Sequence, residues 1–195
     1  MSTTEPKLGA VVMAAGLGTR MRSDVPKHLH PLLGRRMVDW VLESAKELGA
    51  DPIVVVTAPA TADAFEGVEV AVQEVPLGTG DAVRNARQAL EGRAESVLVL
   101  SGDTPLLTAG LLGELVEAHE RADAWATVLS FEPDDPKQYG RVLRDAGGGL
   151  AAIVEHRDAT PEQRAVREVN SSIYVFRADR LWPVLDRLSP HNAQG

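Results

Sequence analysis

Two glycines, two cations and one carboxylate are the residues of this chain whose types and spacing suggest chemistry. Gly16 and Gly18 stand in the run Met13-Ala14-Ala15-Gly16-Leu17-Gly18-Thr19-Arg20-Met21, with Pro26-Lys27 a few residues on. The apolar stretch before them, residues 8–15, reads as a buried strand. Glycines just past a strand let backbone N–H groups approach a phosphate closely, and the C-terminal strand ends of an open α/β sheet are where ligands bind. Arg20 and Lys27 bring positive charge to the same place, so the loop suits a polyanion. Two well-known phosphate loops are excluded. No Gly-Lys-Ser/Thr follows Gly16 at the Walker spacing, and Met21 occupies the third glycine position of a dinucleotide fingerprint. A bare strand-to-helix turn would also use the glycines; the two cations favour a polyphosphate.

Asp103 follows Gly102 directly after another apolar run, residues 97–100. A carboxylate there faces the same sheet edge as the glycine loop. Mg²⁺ takes oxygen ligands, often one or two carboxylates plus substrate phosphates, so Asp103 is the candidate metal ligand; the competing reading is an Asp that caps the next turn. Pro76-Leu77-Gly78-Thr79-Gly80 is a second glycine-rich turn that opens a helix, either at a ligand or as an ordinary helix start with Thr79 near the N-cap. His28 and His30 read as structural, and Asp134-Asp135 as a turn before Pro136. No cysteine is present, and no serine lies in a Gly-x-Ser-x-Gly elbow. A triphosphate, a metal and two cations without a covalent nucleophile suit direct in-line transfer at phosphorus. Positioning and charge stabilisation would supply the catalysis.

The elements that must position these groups alternate. Strands are expected at residues 8–15, 53–56, 68–72, 97–100 and 124–131, and helices at 36–48, 81–90 and 111–119, with a short helix at best over 60–65. Trp40, in the first helix, reads as core. This βαβ alternation implies an α/β fold with a mixed, mainly parallel sheet and helices on both faces. Residues 141–144 and 150–156, around Gly147-Gly148-Gly149, read as a hairpin or two sheet-edge strands. Thr160-Pro161 starts a helix, and a last strand (169–176) and helix (178–188) follow. No repeat or low-complexity linker interrupts the chain, which reads as a single domain, residues 1–195.

Composition narrows the function classes. With 44% hydrophobic and 25% charged residues the chain is globular in type. Its net charge of −8 argues against a general nucleic-acid binder, which needs a basic surface. No apolar run approaches the roughly 20 residues that span a bilayer, and the polar N-terminus has no secretory core. A cytoplasmic protein with neither membrane nor nucleic-acid partners is expected.

The glycine run with Pro26-Lys27 resembles the signature of sugar-nucleotide pyrophosphorylases, a Rossmann-like nucleotide-diphospho-sugar transferase fold. Later segments narrow the resemblance: Gln73 with Leu77-Gly78-Thr79-Gly80, Ser101-Gly102-Asp103-Thr104-Pro105-Leu106, Tyr139-Gly140-Arg141, Ile153-Val154-Glu155-His156, Asp158-Ala159-Thr160, Glu168-Val169-Asn170 and Asn192-Ala193-Gln194-Gly195. In that order they are similar to the uridylyltransferase half of the bifunctional N-acetylglucosamine-1-phosphate uridylyltransferase/glucosamine-1-phosphate acetyltransferases. The resemblance runs from Leu8 to Gly195. It implies that UTP and N-acetyl-α-D-glucosamine 1-phosphate give UDP-N-acetylglucosamine and pyrophosphate, with Mg²⁺ as cofactor, in cell-wall precursor synthesis.

The residue roles implied are as follows. Met13, Ala14, Ala15, Gly16 and Lys27 contact the nucleotide, and Arg20 and Lys27 stand at the reacting phosphates. Gln73 and Gly78 read the uracil edge. Thr79, Gly140, Glu155 and Asn170 line the sugar side. Ser101, Gly102 and Asp103 form the metal segment, with Asp103 the ligand.

Three positions depart from the resembled pattern: Ser101 before Gly-Asp, Asp81 where histidine is usual, and Ser171-Ser172 where a small residue and glycine follow Asn170. The resembled proteins also continue past Asn-Ala-Gln-Gly to a second metal-ligating asparagine and a trimer-forming acetyltransferase β-helix, neither of which is in these residues. Weak turnover is therefore expected. Two other readings stay open: a different sugar-1-phosphate nucleotidyltransferase (glucose 1-phosphate with UTP or dTTP), and a non-catalytic nucleotide-binding module.

Overall fold

In the computed structural model, which describes residues 7–16, 18, 21 and 23–188, the first apolar run forms β1 (Leu8–Ala14). Its side chains alternate: Ala10, Val12 and Ala14 enter one core cluster and Val11 the other, as period-two strand geometry requires. A 3₁₀ turn at Lys27–Leu29 leads into a small hairpin that sequence periodicity did not reveal, β2 (Pro31–Leu32) and β3 (Arg35–Arg36). Leu33 and Gly34 at its tip both take positive φ.

α1 (Met37–Glu47) carries a capping box in which Asp39 accepts from the Arg36 amide at 3.0 Å. Trp40 departs from the expected core role. It is only half-buried, its indole N–H donates to Leu32 O at 3.1 Å, and the Arg35 guanidinium lies over its ring, so it anchors the hairpin to α1.

β4 (Ile53–Thr57) is buried along its whole length, and a 3₁₀ stretch, Pro59–Ala64, leads to β5 (Glu69–Val72). The single helix expected over 81–90 divides at Ala86 into α2 (Thr79–Asn85) and α3 (Arg87–Leu90). Ala86 N–H bonds Val83 O in a 3₁₀-type turn. Both pieces still bury one face, with Ala82, Val83, Ala86 and Leu90 in one cluster. Gly9 makes room for it: a Cβ there would stand 2.4 Å from Leu90 Cδ2.

β6 (Ser96–Ser101) precedes α4 (Ala109–Arg121), which Thr108 caps by accepting from Leu111 N–H at 3.3 Å. β7 (Ala126–Phe131) follows. The expected hairpin forms from β8 (Arg141–Arg144) and β9 (Leu150–Val154), its triglycine loop fastened by Asp145 Oδ1 accepting from Gly147 and Gly149 N–H. α5 (Pro161–Arg164), with Thr160 and Gln163 in a capping box, β10 (Val169–Arg177) and α6 (Ala178–Leu185) complete the described chain. No helix among the described residues is long and apolar enough to cross a membrane.

Apart from the separate β2–β3 hairpin, the strands build one mixed sheet in the order β5-β4-β1-β6-β10-β8-β9, with β7 also pairing β10. β5, β4, β1 and β6 run parallel, and the β10 side is antiparallel. α1 and α4 cover one face, and α2, α3 and α6 the other. Leu98 and Leu100, fully buried, hold the first face, where truncation to Ala would cost about 2–5 kcal/mol. This arrangement delivers the C-terminal ends of four parallel strands to one edge.

Candidate functional site

Registry fixes which residues meet at that edge. Met13 of β1 pairs with Ser101 of β6, Ala14 with Thr57 of β4, and Thr57 with Val72 of β5. Hence Ala15 and Gly16, Gly102 and Asp103, and Gln73 all leave the sheet on the same side. Gly102 N–H donates to Met13 O at 2.9 Å. A Cβ on Gly102 would stand 3.0 Å from that oxygen and 3.3 Å from Val38 Cγ2, so β6 turns here only without a side chain. Gly16 is exposed, with nothing within 4 Å of where its Cβ would be. Gly18 has φ +58° and lies against Lys27, whose Cβ would be 2.7 Å from a Cβ placed there.

That close approach brings Lys27 to the carboxylate. Lys27 Nζ is 2.6 Å from Asp103 Oδ2, and Ser101 Oγ donates to Asp103 Oδ1 at 2.6 Å. Burial pushes the Asp103 carboxyl up, but the Lys27 ammonium and Ser101 hydroxyl outweigh it and hold the group below the usual carboxylate range. The pair is part-exposed, with side-chain accessibilities of 40% and 30%. Beside it His28 is buried and stacked on Phe65 with ring centroids 6.2 Å apart, and His30 Nε2 bonds Val25 O at 3.0 Å, which gives both histidines structural contacts. Arg20 lies outside the described residues.

A second group forms beside β5. Gln73 is buried, its N–H donating to Thr57 O and its Nε2 to Gly78 O and Asp81 Oδ2. Gly78, with φ +103°, is the N-cap of α2; Thr79 is the first helical residue and makes no cap. Both are exposed.

A third group lies across β10. Tyr174 pairs with Val99, and because β10 runs against β6, Asn170 falls beyond it, towards the same edge. Asn170 N–H donates to Gly140 O at 2.9 Å. Its Oδ1 accepts from Ser172 N–H at 2.9 Å, and its Nδ2 donates to Tyr174 Oη at 2.7 Å. The Glu155 carboxylate stands over Gly140, 3.2 Å from the Cβ that the glycine lacks. Burial, the largest influence, pushes the Tyr174 phenol up, and Glu155 adds to this.

The Gly140 segment is clamped by Arg141. Its buried guanidinium donates to the carbonyls of Tyr139, Lys137 and Arg164. Sequence reasoning did not find Tyr174 or this clamp. The only trace was the polar triplet Asn170-Ser171-Ser172 inside an apolar strand, which marks the register shift between Asn170 and Tyr174.

The donor set for a metal is spare. Among the described residues no three His, Cys, Asp or Glu cluster at ligand distance. A single ionised, part-exposed carboxylate nonetheless fits a hard divalent cation whose other oxygens come from substrate phosphates. Two open clefts lined by described residues, of about 630 and 680 Å³, lie at the opposite strand ends, around Ser96 and Arg177 and around Leu8 and Pro52.

The MobA-like NTP transferase domain matches residues 10–190. Relatives named bifunctional protein GlmU are 46% identical over 192 residues in Pelotomaculum thermopropionicum, 45% over 193 in Pelobacter propionicus and 45% over 196 in Mycobacterium bovis. These alignments cover 96%, 96% and 94% of this chain but 42%, 42% and 40% of the relatives, so the chain spans about two fifths of their length. The chain belongs to the MobA-like NTP transferase domain family and is a nucleotidyltransferase.

Proposed function

We propose that the chain transfers the uridylyl group of UTP to N-acetyl-α-D-glucosamine 1-phosphate. A phosphate oxygen of the sugar phosphate attacks the α-phosphorus, the bond from that phosphorus to the bridging oxygen breaks, and pyrophosphate leaves. The attacker is already anionic, so no general base is needed. The observation that carries this reading is the Lys27–Asp103 pair at the parallel-strand edge, beside the open backbone at Gly16.

In this reading Lys27 neutralises charge on the phosphates, with Arg20 as its partner, while the backbone from Met13 to Gly16 contacts the nucleotide. Gln73 and Gly78 meet the base. Thr79, Gly140, Glu155 and Asn170 meet the sugar, where an acceptor carboxylate and a carboxamide suit hydroxyl and amide groups. Asp103 would hold a divalent cation, for which Mg²⁺ is the choice; when bound, it lowers repulsion between the phosphates and the anionic attacker.

Pyrophosphate release tests this over a panel of UTP, dTTP and CTP against N-acetylglucosamine 1-phosphate and glucose 1-phosphate. The expected result is turnover with UTP and the acetylated amino sugar. Activity confined to glucose 1-phosphate would overturn the choice of sugar, and UTP binding without metal-dependent turnover would make the chain a binding module.

A further inference from the structure

The carboxamide of Gln73 has its orientation dictated. Nε2 donates to Gly78 O at 3.2 Å and to Asp81 Oδ2 at 2.8 Å. A carbonyl and a carboxylate can only accept, so a turned amide would set Oε1 against two acceptors. Both Nε2 protons are used, and among the described residues nothing donates to Oε1. Asp81 is itself held. Its Oδ1 takes the Arg84 guanidinium, its Oδ2 also takes Asn85 Nδ2 at 3.3 Å, and its side chain is 13% exposed. Beside this network the backbone at Gly78 is open, with no atom within 4 Å of a would-be Cβ.

We propose that Asp81 is the positioning residue that sets base selectivity. By fixing the Gln73 carboxamide it leaves only an acceptor to a ligand, so the site takes a base whose ring edge carries an N–H, as the uracil imide does. It refuses cytosine, whose corresponding ring nitrogen is an acceptor. This rests on the reading that Gln73 faces the base.

Asp81→Asn reverses the pattern. The Arg84 charge retains the remaining oxygen, and the new NH₂ group opposes the NH₂ of Gln73. The Gln73 carboxamide then turns and offers Nε2 to the ligand. Calorimetric titration of the full chain with UTP and with CTP, each with Mg²⁺, reads the effect. The wild type prefers UTP; in Asp81→Asn the UTP:CTP affinity ratio falls by about tenfold, UTP weakening while CTP strengthens. A ratio taken within one protein is unmoved by a loss of folded fraction. If Gln73→Ala collapses the ratio but Asp81→Asn retains it, or weakens both nucleotides equally, the proposal falls and the base-facing role of Gln73 stands. If Gln73→Ala also leaves the ratio unchanged, or the wild type binds both nucleotides equally, that underlying reading falls and takes the proposal with it.

Discussion

Lys27 and Asp103, far apart in sequence, meet 2.6 Å apart where β6 ends and the segment after the glycine loop returns to the sheet. Each depends on the other: the ammonium keeps the carboxylate ionised against its burial, and the carboxylate holds a flexible four-carbon stem at the strand edge. Lys27→Met should therefore lower kcat for pyrophosphate release by about 100-fold or more, and the Asp103 carboxyl should move up. Steady-state kinetics at saturating UTP checks this; a loss of less than about threefold would remove Lys27 from the reacting phosphates.

Gly16 and Gly102 should separate binding from folding. Gly102→Ala drives a Cβ towards Met13 O and Val38 and should cost about 1–3 kcal/mol by overpacking, with activity falling as Asp103 shifts. Gly16→Ala meets open space, so the thermal midpoint should hold while UTP affinity drops. Chemical denaturation and nucleotide titration of both variants distinguish these outcomes.

Stability should decline in mild acid. Burial holds the His28 imidazole below its ordinary 6.5, with Asp103 opposing and Arg36 adding to the effect; burial likewise lowers His119, with Arg177 adding and Asp123 opposing. Below that pH the unfolded chain binds protons that the fold does not, so stability rises with pH through the window. The contribution is complete above about pH 6.5 and is lost as pH falls from there towards the lowered folded-state values. Thermal midpoints measured from about pH 7 to pH 5 should fall, and His28→Phe should flatten part of the slope.

Ser172 carries a left-handed backbone, φ +64°, in the turn that lets Asn170 reach both its N–H and Tyr174. That conformation costs a side-chain-bearing residue about 1–2 kcal/mol, partly offset in a glycine variant by greater freedom of the unfolded chain. Ser172→Gly should raise the thermal midpoint by about 2 °C, and Ser172→Val should lower it. Differential scanning calorimetry decides; a destabilised glycine variant would show that the serine itself holds the bulge.

The sheet and its edge were legible because their signals are local. Apolar runs such as residues 53–56 and 97–100 announce buried strands, and Thr160-Pro161 marks a helix start without reference to anything distant. The glycine loop and Asp103 could be assigned to one edge because parallel strands share an end. What stayed hidden depends on tertiary partners. Trp40 has a helical core position but turns to Leu32 O. The split at Ala86 is a change of hydrogen-bond partner that hydrophobic spacing does not register. The Asp81–Gln73 and Asn170–Tyr174 bonds join polar residues whose sequence context alone is that of solvated strand ends.

On the proposed function the nucleotide sits on the edge where β5, β4, β1 and β6 terminate. Amide hydrogen exchange of the chain with and without UTP and Mg²⁺ reports where it binds. Protection should concentrate in peptides spanning residues 10–28, 73–82 and 99–105. Protection centred instead on residues 91–96, 119–124 and 177–182, around the cleft at the other end of the sheet, would place the nucleotide away from this edge and rule the proposed function's site out.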